Sequence, residues 1–335
     1  MRITIKDIAR RLNVHHSTVS RALRMDPRIR HETGEMIREF AAREGYHINL
    51  NALKLRGSLR NMIALIVPNI NHRFFSNIIN FLTDLANENN YVLSIYQSNE
   101  NFERECSIIE KLIQQDVAGV IASVSDKTRS GEHFRALNRV RIPLVFFDRV
   151  LYDVNASRVT ANNREIVESL VSELAVEGRK RIAHVTGPGH INVFGDRNLG
   201  YRNGVEKHGA GYVKQVIIDE EFSPESGKVA AREIFSGGVI PDAVISTSFL
   251  LSMGIISHLK EKGIKIPDEV VVAGFGDRLF NSLLHPDIIS IEQPEEEMAS
   301  AVFELLIDQM EFKGYPENYD YKNMELKSRI IKNKL

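Results

Sequence analysis

Residues 16–21 read His-Ser-Thr-Val-Ser-Arg. Arg21 carries the planar fork that can pair with guanine O6 and N7 in a DNA major groove. His16 and Ser17 lie at the start of the same segment, where a recognition helix meets base edges. Thr18 and Ser20 can donate to phosphates, which positions a reader without informing it. Thr4 and His15, at two expected helix starts, complete the DNA-facing set.

A second group suits a small polar ligand. Asn71, Phe74 and Phe75 follow the apolar run 62–67, Gln97 follows 91–96, and Ser123 follows 117–122. Asp148 and Arg149 follow 144–147, Asn162 precedes a helical stretch, and Arg197 opens a helix after the Gly187-Pro188-Gly189 loop. Ser248, Phe249 and Asp277 follow two later runs. Aromatic faces mixed with amides, hydroxyls and a few charges match a polyol. Asp148 and Asp277 are the one obvious carboxylate pair for an enzyme, and Arg149 beside Asp148 suggests an ion pair instead. The histidines show no compact metal-ligand spacing, so neither metal nor cofactor is expected.

These residues need elements to hold them. Thr4 and Asp7 form a capping box, and Ile5, Ile8, Ala9 and Leu12 recur at helical spacing after it. Asn13-Val14-His15 interrupts, and asparagine tolerates the left-handed backbone of a tight turn. A second helix is expected from His16 to Arg24, with Val19, Ala22 and Leu23 inward and Pro27 ending it. A third follows over 32–44, with Met36, Ile37, Phe40 and Ala41 inward. Two short helices around a tight turn and a supporting helix describe a helix-turn-helix module.

From Asn61 the texture changes. Nine strand-sized apolar runs alternate with seven helical stretches as far as residue 312. This is the pattern of parallel sheets covered on both faces. The 335-residue chain leaves more than one such sheet commonly needs, so two lobes are expected. Ligands of open parallel sheets bind beyond the carboxyl ends of the strands, here in a cleft between lobes.

Charge supports the division. Residues 1–60 hold 13 basic and 6 acidic side chains, net +7, whereas the remainder holds 30 and 38, net −8. The whole-chain value of −1 hides a basic module on an acidic body. The hydrophobic share of 43% excludes disordered and fibrous classes. A lone cysteine, Cys106, excludes an internal disulfide framework. No apolar run approaches the ~20 residues of a membrane span, and the N-terminus lacks a secretory signal. A cytoplasmic, nucleoid-associated protein with no membrane partner is expected.

Thr4-Ile-Lys-Asp-Ile-Ala9 and Thr18-Val-Ser-Arg-Ala-Leu23 resemble the DNA-binding domain of the lactose-repressor (LacI/GalR) family. The likeness runs on through Gly45-Tyr46, Asn49, Ala52, Leu55 and Arg56. In the core, Ile63–Pro68, Val145–Arg149 and Arg197–Tyr201 are also family-like. The resemblance implies a helix-turn-helix domain at 1–47, a hinge helix at 48–60 and a periplasmic-binding-protein-like α/β core at 61–335. One lobe would take about 61–158 and 292–320, the other about 159–291 and 321–335. It implies that Asn49, Ala52 and Leu55 meet DNA, with Leu55 wedging into the minor groove beside its copy from a second subunit. It implies that Arg197 contacts the effector.

Departures are visible. The turn has Asn13-Val14-His15 where the family usually has Gly-Val-Ser, so a serine N-cap is missing. Ile48 stands where the family has proline. Ser248-Phe249 and Gly276 replace side chains that usually take sugar hydroxyls. This leaves open a larger or aromatic effector, a phosphosugar, or recognition through other residues.

The combined expectation is a repressor that is not an enzyme. As a homodimer it would bind a near-palindromic double-stranded operator under control of a carbohydrate-like effector. A solute-binding protein and a sugar-processing enzyme on the same core are the alternatives.

Overall fold

The computed structural model describes residues 3–23, 25–46, 61–209, 211–219, 222–276, 282–283, 285 and 287–332. The chain divides into two compact units, Met1–Arg60 and Asn61–Leu335. Among the described residues, no helix is long and apolar enough to cross a membrane.

The first unit contains α1 (Ile5–Arg11), α2 (His16–Ala22) and α3 (His31–Arg43). The Thr4–Asp7 capping box opens α1. Asn13 takes the left-handed turn at φ 52°. Ile8, Val19, Ala22, Ile37 and Ala41 form a small core. Met36, expected inward, is 44% exposed, because Ile37, Phe40 and Ala41 already fill the face of α3 that meets the core. Helix α2 ends before Pro27. The N–H groups of Met25 and Asp26 return to the carbonyls of Ala22 and Arg21, with Met25 left-handed at φ 55°. This is a Schellman closure without glycine. From α3, Arg38 donates to the Ala22 carbonyl at 3.2 Å, fastening the end of α2.

The second unit contains two six-stranded sheets. The chain runs β1 (Met62–Val67), α4 (Arg73–Glu88), β2 (Val92–Gln97), α5 (Phe102–Gln115), β3 (Gly119–Ala122), α6 (Glu132–Arg139), β4 (Leu144–Phe147) and β5 (Ser157–Ala161). It continues through α7 (Asn163–Val176), β6 (Arg181–Thr186), α8 (Asn192–His208), β7 (Gly211–Ile217), α9 (Pro224–Phe235), β8 (Ala243–Ser246), α10 (Phe249–Glu261) and β9 (Val271–Phe275). It closes with β10 (Ile289–Glu292), α11 (Glu295–Glu311), β11 (Asn323–Leu326) and β12 (Arg329–Lys332). The first sheet has order β11-β5-β4-β3-β1-β2 and the second β12-β10-β9-β8-β6-β7. Pairing is parallel throughout, except that β12 runs antiparallel to β10.

Strand alternation decides which helices cover which face. Ile63, Leu65 and Val67 of β1 pack with α4 and α11, whereas Ala64 and Ile66 pack with α5 and α6. In the second sheet, Ala243 and Ile245 meet α7 and α8, and Val244 meets α9 and α10.

The chain passes between the lobes three times, after β5, after β10 and after β11. The third passage corrects the expected boundary. Residues 321–335 were expected in the second lobe, but β11 pairs in parallel with β5 of the first. Edge strand β5 offers an unpaired row of backbone groups, and the returning chain satisfies it before crossing.

Candidate functional site

In the first unit, α2 presents Arg21, His16 and its N-cap His15 as exposed side chains. The missing serine cap is replaced. His15 Nδ1 accepts the Ser17 amide at 3.3 Å and lies 2.7 Å from Ser17 Oγ. An accepting Nδ1 puts the proton of a neutral ring on Nε2. The His15 and His16 rings meet at 4.1 Å between centroids. Thr4 is exposed, while Ser17 and Thr18 are half-buried. Ser20 is a correction. Expected outward, it is 8% exposed, because it follows Val19 and stands one turn before Leu23 on the flank of the inward stripe. Asn49, Ala52 and Leu55 lie outside the described residues.

In the second unit, a cavity of about 590 Å³ is lined from both lobes. Eight expected residues line it: Asn71, Phe74, Phe75, Asp148, Arg149, Arg197, Ser248 and Phe249. They converge because helix starts and strand ends meet there.

Arg197 on α8 is 3% exposed. Its Nε donates to Asn163 Oδ1 at 2.8 Å, and its Nη1 donates to the Thr247 carbonyl at 3.0 Å and hydroxyl at 2.9 Å. Its guanidinium carbon stands 3.4 Å from the centroid of the Phe275 ring. Burial lowers its pKa to about 9, with Asp148 opposing and Arg149 reinforcing the shift. One turn on, a Cβ on Gly200 would lie 2.2 Å from the Arg164 carbonyl of α7. The glycine lets α8 press close enough for Arg197 to reach Asn163.

Asp148 follows β4 at φ 56°, a left-handed backbone that is uncommon outside glycine. Burial pushes its carboxyl up, against the pull of Arg149 and Arg197. The expected Asp148–Arg149 ion pair is not formed. Arg149 instead donates to both oxygens of Glu100, at 2.8 and 3.0 Å. Opposed backbone directions after the left-handed Asp148 separate the two neighbouring side chains. His72 lines the cavity too, and burial, then Arg149 and Arg197, lower its pKa to about 4.

Three expected residues stand elsewhere. Gln97 accepts the Ile70 amide at 3.3 Å and bonds Asn99. Ser123 is fully buried, with its hydroxyl 3.4 Å from the Arg149 amide. Asn162 accepts the Ser328 amide at 2.8 Å, inside the crossing between lobes. Each follows or precedes an element as expected, but short loops turn its side chain onto the neighbouring backbone. Asp277 lies outside the described residues.

Sequence reasoning missed Asn163, Thr247, Phe275 and Asn192. The first two adjoin Asn162 and Ser248, so a wider window at each strand end would have found them. Asn192 joins the lobes: its Nδ2 donates to the Asp148 carbonyl at 2.9 Å and its Oδ1 accepts the Val150 amide at 3.0 Å.

Two families match the chain. Residues 4–49 match "Bacterial regulatory proteins, lacI family", and residues 171–329 match "Periplasmic binding protein-like domain". Catabolite control protein A of Priestia megaterium is 23% identical over 331 residues, covering 98% of each chain. The ribose operon repressor of Bacillus subtilis (strain 168) is 27% identical over 305 residues, covering 91% of this chain and 90% of the relative. The lac repressor dimer bound to operator and the anti-inducer ONPF superposes with a TM-score of 0.87 at 18% identity, covering 99% and 98%. That last likeness shows the fold.

Proposed function

Because the chain belongs to the lacI family of bacterial regulatory proteins, we infer that it is a DNA-binding transcription regulator, a repressor, whose operator affinity follows a small sugar-like effector. Arg21, His16 and Ser17 would read bases, Thr18 would hold the backbone, and Thr4 and His15 would complete the DNA-facing set. Asn49, Ala52 and Leu55 would enter the minor groove. One such module makes few base contacts, so a homodimer on a near-palindromic operator is the working form. The setting is the bacterial cytoplasm, on the nucleoid.

The observation that carries the effector half is Arg197. It is a buried cation held by neutral partners at the wall of a cavity shared by two lobes. A ligand touching both lobes would bias their closure and, through the hinge, DNA binding. We read the core as a sensor that returns its ligand unchanged. Ser248, a cavity hydroxyl at a helix start, has no base hydrogen-bonded to it. Turnover of a bound sugar would overturn that part.

The test has two halves. Selection from random duplexes should yield a near-palindrome, and Arg21→Ala should abolish that preference. Any ligand that shifts operator affinity should do nothing to Arg197→Ala. An unchanged preference or response would refute the respective half.

A further inference from the structure

His15 and Ser17 meet through two contacts on one nitrogen. The Ser17 amide donates to His15 Nδ1 at 3.3 Å, and Ser17 Oγ lies 2.7 Å from the same atom. An amide N–H can only donate, so Nδ1 is the unprotonated nitrogen of a neutral ring. Such a nitrogen meets a hydroxyl at that distance only by accepting its proton. The Ser17 hydroxyl therefore donates to His15. Elsewhere a serine hydroxyl rotates to donate or accept as its surroundings ask. Here its one proton is committed, and Oγ can offer a further partner only lone pairs.

The pair is held in place. The His15 carbonyl accepts the amides of Thr18 at 2.9 Å and Val19 at 3.2 Å, and Val19 is fully buried in the core of the module. The His16 ring packs on the His15 ring at 4.1 Å between centroids, with the planes 43° apart. Turning the His15 ring over would put carbon Cδ2 where Nδ1 stands and lose both bonds. Ser17 and Arg21 are four residues apart and share one side of α2. Arg21 has only donors, so the two readers have opposite polarity.

We propose that His15 sets part of the base preference of α2 by making Ser17 an acceptor-only reader, which takes a base amine, adenine N6 or cytosine N4. Every base pair shows one such amine in the major groove, on one of its two strands. Guanine O6 and thymine O4 present lone pairs and are refused. Ser17 thus selects which strand carries the amine. His15 is a positioning residue here, acting through Ser17. The proposal deepens the DNA-binding reading above and rests on it.

The experiment uses the full chain and the operator selected from random duplexes. Ser17→Ala should flatten the preference at one base pair of each half-site, which locates the contact. At that pair, purine in place of adenine, or 2-pyrimidinone in place of cytosine, deletes the amine alone. Wild-type affinity should then fall about three- to tenfold, the worth of one hydrogen bond. A 7-deaza purine at the same pair, which lacks the N7 acceptor, should cost nothing. His15→Asn keeps a cap and places an acceptor oxygen near the site of Nδ1, so it should behave as wild type. His15→Ser also keeps a cap, but its oxygen lies one bond nearer the backbone and releases the Ser17 proton. It should lose most of the sensitivity to the amine and keep its preference at the Arg21 contact. Should that variant not fold, His15→Gly, also tolerated at a cap, is expected to do the same. Lost helix stability alone would weaken every position together. Several results would overturn the proposal and leave the DNA-binding reading standing. They are wild-type indifference to amine deletion, sensitivity to N7 deletion instead, no position altered in Ser17→Ala, or His15→Asn and His15→Ser behaving alike. A wild-type chain with no base preference at any position overturns both.

Discussion

Asn162 Oδ1 accepts the backbone N–H of Ser328 at 2.8 Å, and the Asn162 N–H donates to the Leu326 carbonyl at the same distance. The first passage between the lobes is thereby fastened to the third. A residue expected to hold ligand instead holds the hinge.

Asn162→Ala leaves the buried Ser328 amide without an acceptor, which costs about 1–3 kcal/mol. Urea unfolding should show that loss, while ligand affinity changes much less than in Arg197→Ala. Asn162→Asp keeps the acceptor and should recover most of the stability. A loss of ligand binding with stability intact would return Asn162 to the cavity.

His15 replaces serine as the cap of α2 through Nδ1. Removing an N-cap costs ~1 kcal/mol, and serine is a preferred cap. His15→Ala should therefore speed hydrogen exchange at the Ser17–Val19 amides, and His15→Ser should restore protection. Equal exchange in all three proteins would show that the ring does not cap.

Leu55→Ala should weaken operator binding far more than binding to random duplex, because an apolar wedge acts only where the DNA can be kinked. Filter binding to the two DNAs measures the ratio. Equal losses would rule out the wedge.

His184 is fully buried and His72 half-buried, with its Nδ1 out of solvent contact, and desolvation depresses their pKa to about 3 and about 4. Above the ordinary value of 6.5 both are neutral folded or unfolded, and the fold keeps its full stability. As pH falls from 6.5 toward 4, the unfolded chain binds protons that the folded chain refuses, so stability drops. Each group contributes roughly 1.4 kcal/mol per pH unit in that window. Between pH 7.5 and 5, wild type should lose about 2 kcal/mol more than His72→Gln in urea unfolding. Parallel losses would mean that His72 is not held neutral by the fold.

The salt dependence of DNA binding should belong to residues 1–60, where the net charge is +7. A chain starting at Asn61 should show no salt-dependent DNA binding, and retention of it would move the DNA surface.

The boundaries of β1, β4, β6 and β8 coincide with apolar runs, because buried parallel strands are continuously hydrophobic and sharply bounded. The helix start at Thr4 coincides with the capping box read there. Strands β5, β11 and β12 and helix α6 were not legible. Ser157–Ala161 carries three polar residues, Ser157, Arg158 and Thr160, and Asn323–Leu326 is largely exposed, so neither reads as a buried strand. They exist because the edges of two sheets needed partners.

By itself the sequence determined the basic helix-turn-helix head and the two-lobed α/β core, since charge, periodicity and motif are properties of a line of residues. The tertiary structure decided which strand-end side chains share the cavity and which fasten the backbone. It alone brought together the starts of α4, α8 and α10. Chain segments distant in sequence meet only when sheets close and the chain crosses between lobes, so the cavity they share is a property of the fold.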